Sequence, residues 1–388
     1  MSNMSVPVKK DETMKSRERV LRTINHQPVD RMPIDLGVHY STGISAFAYW
    51  NLREALGLST DHIEIPDMSQ FLARVDEDVL KRFHCDCMLL NPGWKKTKYW
   101  NPRGKYNFVI PESARLKHLA DGSYVMGSGD KTSKMPEGGF FFDGNGSSFE
   151  KETENEHIKR YAKEAERIYK ETDYFTMYIG YHAYFSCTDL DWLCRMITDP
   201  DEIIKENQRI HEAQIKSVSK VIQSMGKHIQ AIAINSDLGS QSGPFCRPSL
   251  YNELCAPFVK KFCDFVHQNS DLKIFIHSCG SIRQFIPILI ECGVDIFNPV
   301  QITAKGMNPQ ELKKEFGDRA TFWGGGCNTQ QVLNMGTPED VAANVRELIK
   351  IFKPGGGFVF NQVHNIMGDI KPENIIAMLD TAYEESFY

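Results

Sequence analysis

The chain is 388 residues long, 41% hydrophobic and 24% charged, with 45 Lys+Arg against 50 Asp+Glu for a net charge of −5. Such a composition excludes disordered and fibrous classes and gives no global attraction to nucleic acid or anionic membranes. No uninterrupted apolar run reaches the roughly 18 residues of a spanning helix, and MSNMSVPVKKDETMKSRERV lacks the apolar core of a signal peptide. A cytoplasmic protein that acts on a small molecule or another protein is expected, its ten cysteines free or metal-bound rather than a disulfide framework.

Residues 1–14 are polar and lysine-rich, a loose leader, and SRERVLRTINH then sets Val20, Leu21 and Ile24 at helical spacing before Pro28. Beyond it, short apolar strands alternate with amphipathic helices. Strands are predicted near Met32–Leu36, Cys87–Leu90, Thr176–Ile179, Ile229–Ile234, Lys273–Ile276, Val294–Phe297, Thr321–Trp323 and Gly357–Phe360. Helical patterns follow at Ile44–Leu56, Asp189–Met196 with Pro200–Met225, Pro248–Gln268, Ser281–Cys292, Pro309–Phe316, Pro338–Phe352 and Pro372–Tyr383. Eight strand-helix pairs is the count of an α/β TIM barrel, (β/α)8, expected over 29–388 as one catalytic domain behind a leader and helix at 1–28; a doubly wound sheet also alternates in this way. The stretch 93–150 departs from the pattern. There Trp94, Tyr99 and Trp100 precede alternating FVI and SYVM segments, a DGS turn and GGFFFDGNG, predicting a β-hairpin insertion beside the second strand.

In KIFIHSCGS an apolar strand runs into His277 and Cys279. Residues two apart on an extended chain point to one side, so both can face one metal ion. Gly280 allows a turn and Ser281 is a good N-cap for a following helix. A third thiol, Cys327, comes from TFWGGGCNTQ, where another strand stops in glycines that let the backbone pass close to a ligand. His277, Cys279 and Cys327 form an NS2 set that suits zinc and leaves a fourth position open. The rival cluster, His84, Cys85 and Cys87, continues an apolar stripe with Leu80 and Phe83 and reads as packing. Other strand ends carry Asp35, Asn235 with Asp237, Asn298 with Gln301, and Asn361 with His364; their recurrence at one end of successive strands predicts a shared pocket. Asp237 and His364 are the expected catalytic residues, His364 because imidazole titrates near neutral pH, and the other five are expected to bind substrate. No strand is followed by GxGxxG and GxxxxGK[ST] is absent, which leaves dinucleotide and P-loop readings unsupported.

SRERVLRTINHQPVDRMPIDLG, NSDLGSQSGPFCRPSLYNELCAPFVKK, IHSCGSIRQFIPILIECGVDIFNPVQ, LKKEFGDRATFWGGGC and GGGFVFNQVHNIMGDIKPENIIAML resemble the uroporphyrinogen decarboxylase superfamily, and within it the zinc-dependent methyltransferases that work with corrinoid proteins. Decarboxylases of this superfamily carry arginines after the N-terminal proline strand to hold propionates, whereas PIDLGVHYSTG has none. The methyltransferase branch is marked by His-x-Cys plus a distant Cys, which His277, Cys279 and Cys327 reproduce; a related branch has an acidic residue where Cys327 stands. The resemblance implies methyl transfer between a small methylated compound and the cobalt of a corrinoid (cobalamin). No D-x-H-x-x-G pattern is present, so the corrinoid is expected on a partner protein docking over the barrel mouth. An aryl methyl ether is the favoured donor, its pocket walled by Trp94, Tyr99, Trp100, Tyr106, Phe108 and Phe140–Phe142. Alternatives are a methylcorrinoid:thiol (coenzyme M-like) methyltransferase, a decarboxylase and a non-catalytic corrinoid-protein binding module, with a homodimer left open.

Overall fold

The computed structural model describes residues 12–128, 131–144, 149 and 151–388. Most of the expected leader, and residues 145 and 146 of the GGFFFDGNG stretch, lie outside them. Six consecutive parallel strands, Met177–His182, Ala231–Asn235, Lys273–His277, Ile296–Asn298, Thr321–Trp323 and Phe358–Val359, pair in chain order. Two short extended segments complete the ring. Ile34 bridges Phe360 in parallel, the Asp86 N–H donates to the Ile34 carbonyl at 2.7 Å, and Cys87 bridges Phe175 in parallel. Six of the eight predicted strands are therefore found as strands, and the first two, near Met32–Leu36 and Cys87–Leu90, as single bridges that complete a (β/α)8 arrangement.

Residue parity follows from this closure. Cys87, Met177, Ala231, Ala233, Phe275, Ile296, Trp323 and Val359 share one buried cluster inside the ring, and their neighbours Ile232, Ile274, Phe297, Phe322 and Phe358 pack outward against the helices. Val20 and Ile24, from the Ser16–Ile24 helix, belong to the inner cluster and close its lower end.

That helix also carries Arg19 into an ion network. Arg19 and Arg31 both hold Asp86, at 2.6 and 2.7 Å, and all three side chains are almost completely buried; Asp30 and Glu12 complete the set. Burial pushes the Glu12 carboxyl up, but a hydrogen bond with His84 and the charges of Arg31 and Arg19 outweigh it and hold the pKa at about 2. A carboxylate depressed in the folded state stabilises above its unfolded value, and that contribution disappears as pH falls from about 4.5 towards 2. Urea midpoints for the wild type should thus fall more steeply across this window than those of Glu12→Gln; parallel curves would remove Glu12 from acid sensitivity.

Several local expectations need correction. The 248–268 helix is two, Pro248–Leu254 and Ala256–Asn269, broken at Cys255 because Pro257 offers no N–H and crowds the preceding turn. Only Ile286–Glu291 is helical in the 281–292 segment, and Ser281 Oγ donates to the Lys305 carbonyl instead of capping. An unpredicted helix, Glu154–Glu171, begins at a capping box of Thr153 and Glu156. The insertion is more than a hairpin: Thr97–Trp100 pairs antiparallel with Phe108–Pro111, which pairs in parallel with Ile63–Glu64 on its other edge, and four further antiparallel strands form a separate sheet. Its aromatic residues pack into the main core, with Tyr106 edge-on to Phe47 at 4.9 Å and Trp100 edge-on to Phe71 at 5.4 Å, while Tyr99 and Phe141 are exposed. No helix among the described residues is long and apolar enough to cross a membrane.

Candidate metal centre

The inward parity of the strands delivers the site. Asn235 follows Ala233, His277 follows Phe275 and Asn298 follows Ile296, each two residues on and therefore on the same side. Register places His277 beside Asn235 on one neighbouring strand and Asn298 on the other. Asn298 donates through Nδ2 to the Trp323 carbonyl at 2.9 Å, which orients its amide. Its Oδ1 can then only accept, and it takes the His277 Nδ1 hydrogen at 2.9 Å and that of Ser41 Oγ at 2.7 Å. His277 Nε2 is left as an unprotonated nitrogen, available to a metal.

That nitrogen stands 3.5 Å from Cys279 Sγ. A tetrahedral zinc with about 2.05 Å to nitrogen and about 2.3 Å to sulfur sets two such ligands roughly 3.5 Å apart. Gly280 makes the turn that presents the thiol: its φ is +83°, and a Cβ there would lie 2.1 Å from the Gly239 carbonyl oxygen. Asp237 accepts the Cys279 N–H at 2.8 Å, and its Oδ1 lies 3.7 Å from His277 Nε2. Burial, with the Asp237 carboxylate beside it, pushes the Cys279 thiol up, so a thiolate here calls for a cation.

The third member is His364. One ligand atom each of His277, Cys279 and His364 lie within 4.8 Å of one another, and among the described residues this is the one group of three His, Cys, Asp or Glu side chains that meets that distance. Burial, then the neighbouring His277, holds His364 at about 4, which makes it neutral at physiological pH and suits a ligand better than an acid-base group. Cys327, expected as the third ligand, does not join the set. Its thiol is fully buried and pushed up to about 12, and a Cβ at Gly326 would meet the Phe360 ring at 2.5 Å. The glycines thus let the chain pass close to the neighbouring strand end, not to a ligand, and this turns Cys327 into the core.

The remaining expected residues divide. Asn235 accepts from His39 at 3.1 Å, and Gln301 accepts the Gly280 N–H at 2.7 Å. Asp35 and Asn361 are fully buried: the Asp35 carboxylate takes the Trp323 indole and Val38 N–H groups, and Asn361 donates to the Asp35 carbonyl, so they brace the turn after the first strand rather than face substrate. His84 stacks on Tyr383 at 3.6 Å and Cys85 and Cys87 are buried, as packing requires. Sequence reasoning overlooked His39, whose ring stacks on His277 at 5.5 Å; its place just past the first strand was the available signal.

Two cavities flank the cluster. One, of about 580 Å³, is bordered by His277, Asp237, Tyr184, Phe185 and Trp192; the other, of about 440 Å³, by Cys279, His364, Gln241, Gln301 and Gln330. Tyr184 and His364 both adopt positive φ, +58° and +63°, a conformation bulky residues hold only where the surroundings enforce it and one that gathers at functional sites.

Residues 188–385, just over half of the chain and nearly all of this constellation, match the family model for uroporphyrinogen decarboxylase (URO-D). The chain belongs to the uroporphyrinogen decarboxylase family. Curated relatives include the uroporphyrinogen decarboxylase of Pseudoalteromonas translucida, 26% identical over 186 residues that make up 47% of this chain and 50% of that one. The Methylococcus capsulatus protein of the same name is 30% identical over 103 residues, 26% of this chain and 27% of the relative. The matched segments thus span half or less of these relatives. Among solved structures, a methyltransferase from Methanosarcina mazei superposes with a TM-score of 0.57 at 14% identity, covering 96% of this chain and 99% of that one. At that identity the likeness is one of fold, and it extends the family's barrel over the whole chain.

Proposed function

We propose that this URO-D family member is a zinc-dependent methyltransferase that moves a methyl group between a small methylated compound, preferably an aryl methyl ether, and the cobalt of a corrinoid carried by a partner protein. The observation that carries the reading is the His277, Cys279 and His364 cluster, set at the C-terminal end of the barrel between two cavities. With two neutral imidazoles and one thiolate as ligands, bound zinc keeps a net positive charge and supplies Lewis acidity to the heteroatom that carries the methyl group. Asn298 fixes the His277 ring and its tautomer through Nδ1, and Asp237 fixes the Cys279 backbone. Tyr184, Phe185 and Trp192 exclude water from one side and offer flat apolar walls to an aromatic ring.

The decarboxylase name of the curated relatives is less well supported by these residues. A substrate with many carboxylates needs cations, and no Lys or Arg lines either cavity among the described residues. The deciding experiment mixes the zinc-loaded protein, a Co(I) corrinoid protein and 2-methoxyphenol, and follows the spectral change to methyl-Co(III). Conversion is the expected result. No change with any ether or thioether, together with rapid demethylation of methylcobalamin by an added thiol, would replace this reading with thiol methylation.

A further inference from the structure

Charge in the cavity beside His277 narrows the substrate further. Its walls are Tyr184, Phe185, Trp192 and Ile210, and its ionisable lining includes the carboxylates of Asp189, Glu206 and Asp237. No described lining residue is a Lys or Arg. Glu206 does have a cationic partner, Arg195 at 3.2 Å, but that guanidinium is not part of the lining and is also held by Asp191 at 2.9 Å. Asp189 spends one oxygen on the Trp192 N–H at 3.0 Å, capping the helix that carries the indole. Asp237 receives the Cys279 N–H through Oδ1 and remains partly exposed towards the cavity. The rigid aromatic walls are fixed from behind: Tyr184 bonds to His211 at 3.0 Å, and Phe185 lies edge-on to Trp192 at 5.4 Å.

We infer that this cavity selects methylated aromatic compounds that carry no carboxylate, taking uncharged and cationic rings and rejecting anionic ones. The inference rests on the methyltransferase reading for the word substrate, but the binding preference stands on the cavity alone. Aromatic faces attract cations and accept neutral rings, whereas an anionic substituent pointing away from the His277 metal position would lose its hydration to carboxylates and ring faces with no Lys or Arg in the described lining to pair with. One like-charge interaction across roughly 6 Å at an intermediate effective dielectric constant changes affinity by about tenfold.

Three probes built on one ring test this: 4-ethyl-2-methoxyphenol is neutral, 4-(2-aminoethyl)-2-methoxyphenol is a cation, and 4-hydroxy-3-methoxyphenylacetate is an anion. Binding is read by tryptophan fluorescence of the full chain, with Trp192→Phe assigning the signal to this cavity, and needs neither corrinoid nor turnover. The expected result is that the neutral and cationic probes bind about tenfold or more tighter than the anion. Ile210→Arg, at a partly exposed wall position, should raise the anion's affinity relative to the neutral probe. Equal or tighter binding of the anion to the wild type, or binding of none of the three, overturns the inference. Binding in the expected order without methyl transfer to Co(I) would instead count against the methyltransferase reading alone, and transfer from the anion as fast as from the neutral probe against the selectivity alone.

Discussion

Alanine at His364 or at Cys279 should strip the protein of zinc, whereas alanine at Cys327 should leave the metal in place. Each of the first two removes one of the three side chains whose ligand atoms converge within 4.8 Å, and Cys327 is absent from that group. Loss of a ligand should cost at least the roughly 10–100-fold in metal affinity that even supporting residues contribute. Elemental analysis of protein purified without chelator, followed by competition with a chromophoric chelator, reads both quantities. The Cys327 variant carries the sharper test: zinc lost there and kept in His364→Ala would mean that the metal draws the Gly324–Cys327 turn inward and that the thiol, not the imidazole, completes the set. Substitution of His84, Cys85 or Cys87 should leave zinc content unchanged, because His84 stacks on Tyr383, Cys87 packs in the barrel interior and Cys85 is buried in the core outside it.

The largest effect on stability is expected at Asp86→Ala. Asp86 is fully buried, and its two oxygens take hydrogen bonds from Arg19, Arg31 and the Ile34 backbone. Alanine would leave the Arg19–Asp86 and Arg31–Asp86 attractions unmade in a place water does not reach, at about 3–5 kcal/mol, a large share of the roughly 5–15 kcal/mol by which domains are stable. It would also remove the Ile34 N–H to Asp86 carboxylate bond at 2.9 Å, leaving the second strand position tied to the first through the backbone bond from residue 86 to the Ile34 carbonyl. Urea unfolding should show a much lower midpoint, or the variant should fail to accumulate in soluble form. A midpoint within experimental error of the wild type would mean that the buried ion network contributes nothing net.

Much of this protein was legible in the sequence, and for a local reason. Strand parity is a nearest-neighbour property: Phe275 inside means His277 inside, so HSC at the end of KIFIH reads as a two-ligand site without any tertiary information. The eight strands announced themselves through short apolar runs for the same reason, and the Pro309–Phe316 and Pro338–Phe352 helices were bounded correctly because proline opens each one. The Glu154–Glu171 helix is equally legible, in its Thr153–Glu156 capping box and in the helical spacing of Ile158, Ala165 and Ile168, which it buries.

What the chain could not declare locally was which residue meets His277 from across the barrel. Cys327 and His364 both follow strand ends, both bear metal-binding atoms, and nothing within a few residues of either separates them. The choice was made by how the two turns pack. The Gly324–Gly326 run folds against Phe360 and carries the Cys327 thiol into the core, while His364, in a left-handed backbone conformation, swings its ring to within 5.7 Å of His277. The aromatic wall was decided in the same way. Residues of the insertion found partners in Phe47 and Phe71 and became core, and Tyr184, Phe185 and Trp192, unremarkable in sequence, inherited the surface beside the cluster. Periodicity sets which side of its own strand a residue faces; what it faces there depends on loops that meet only once the ring has closed.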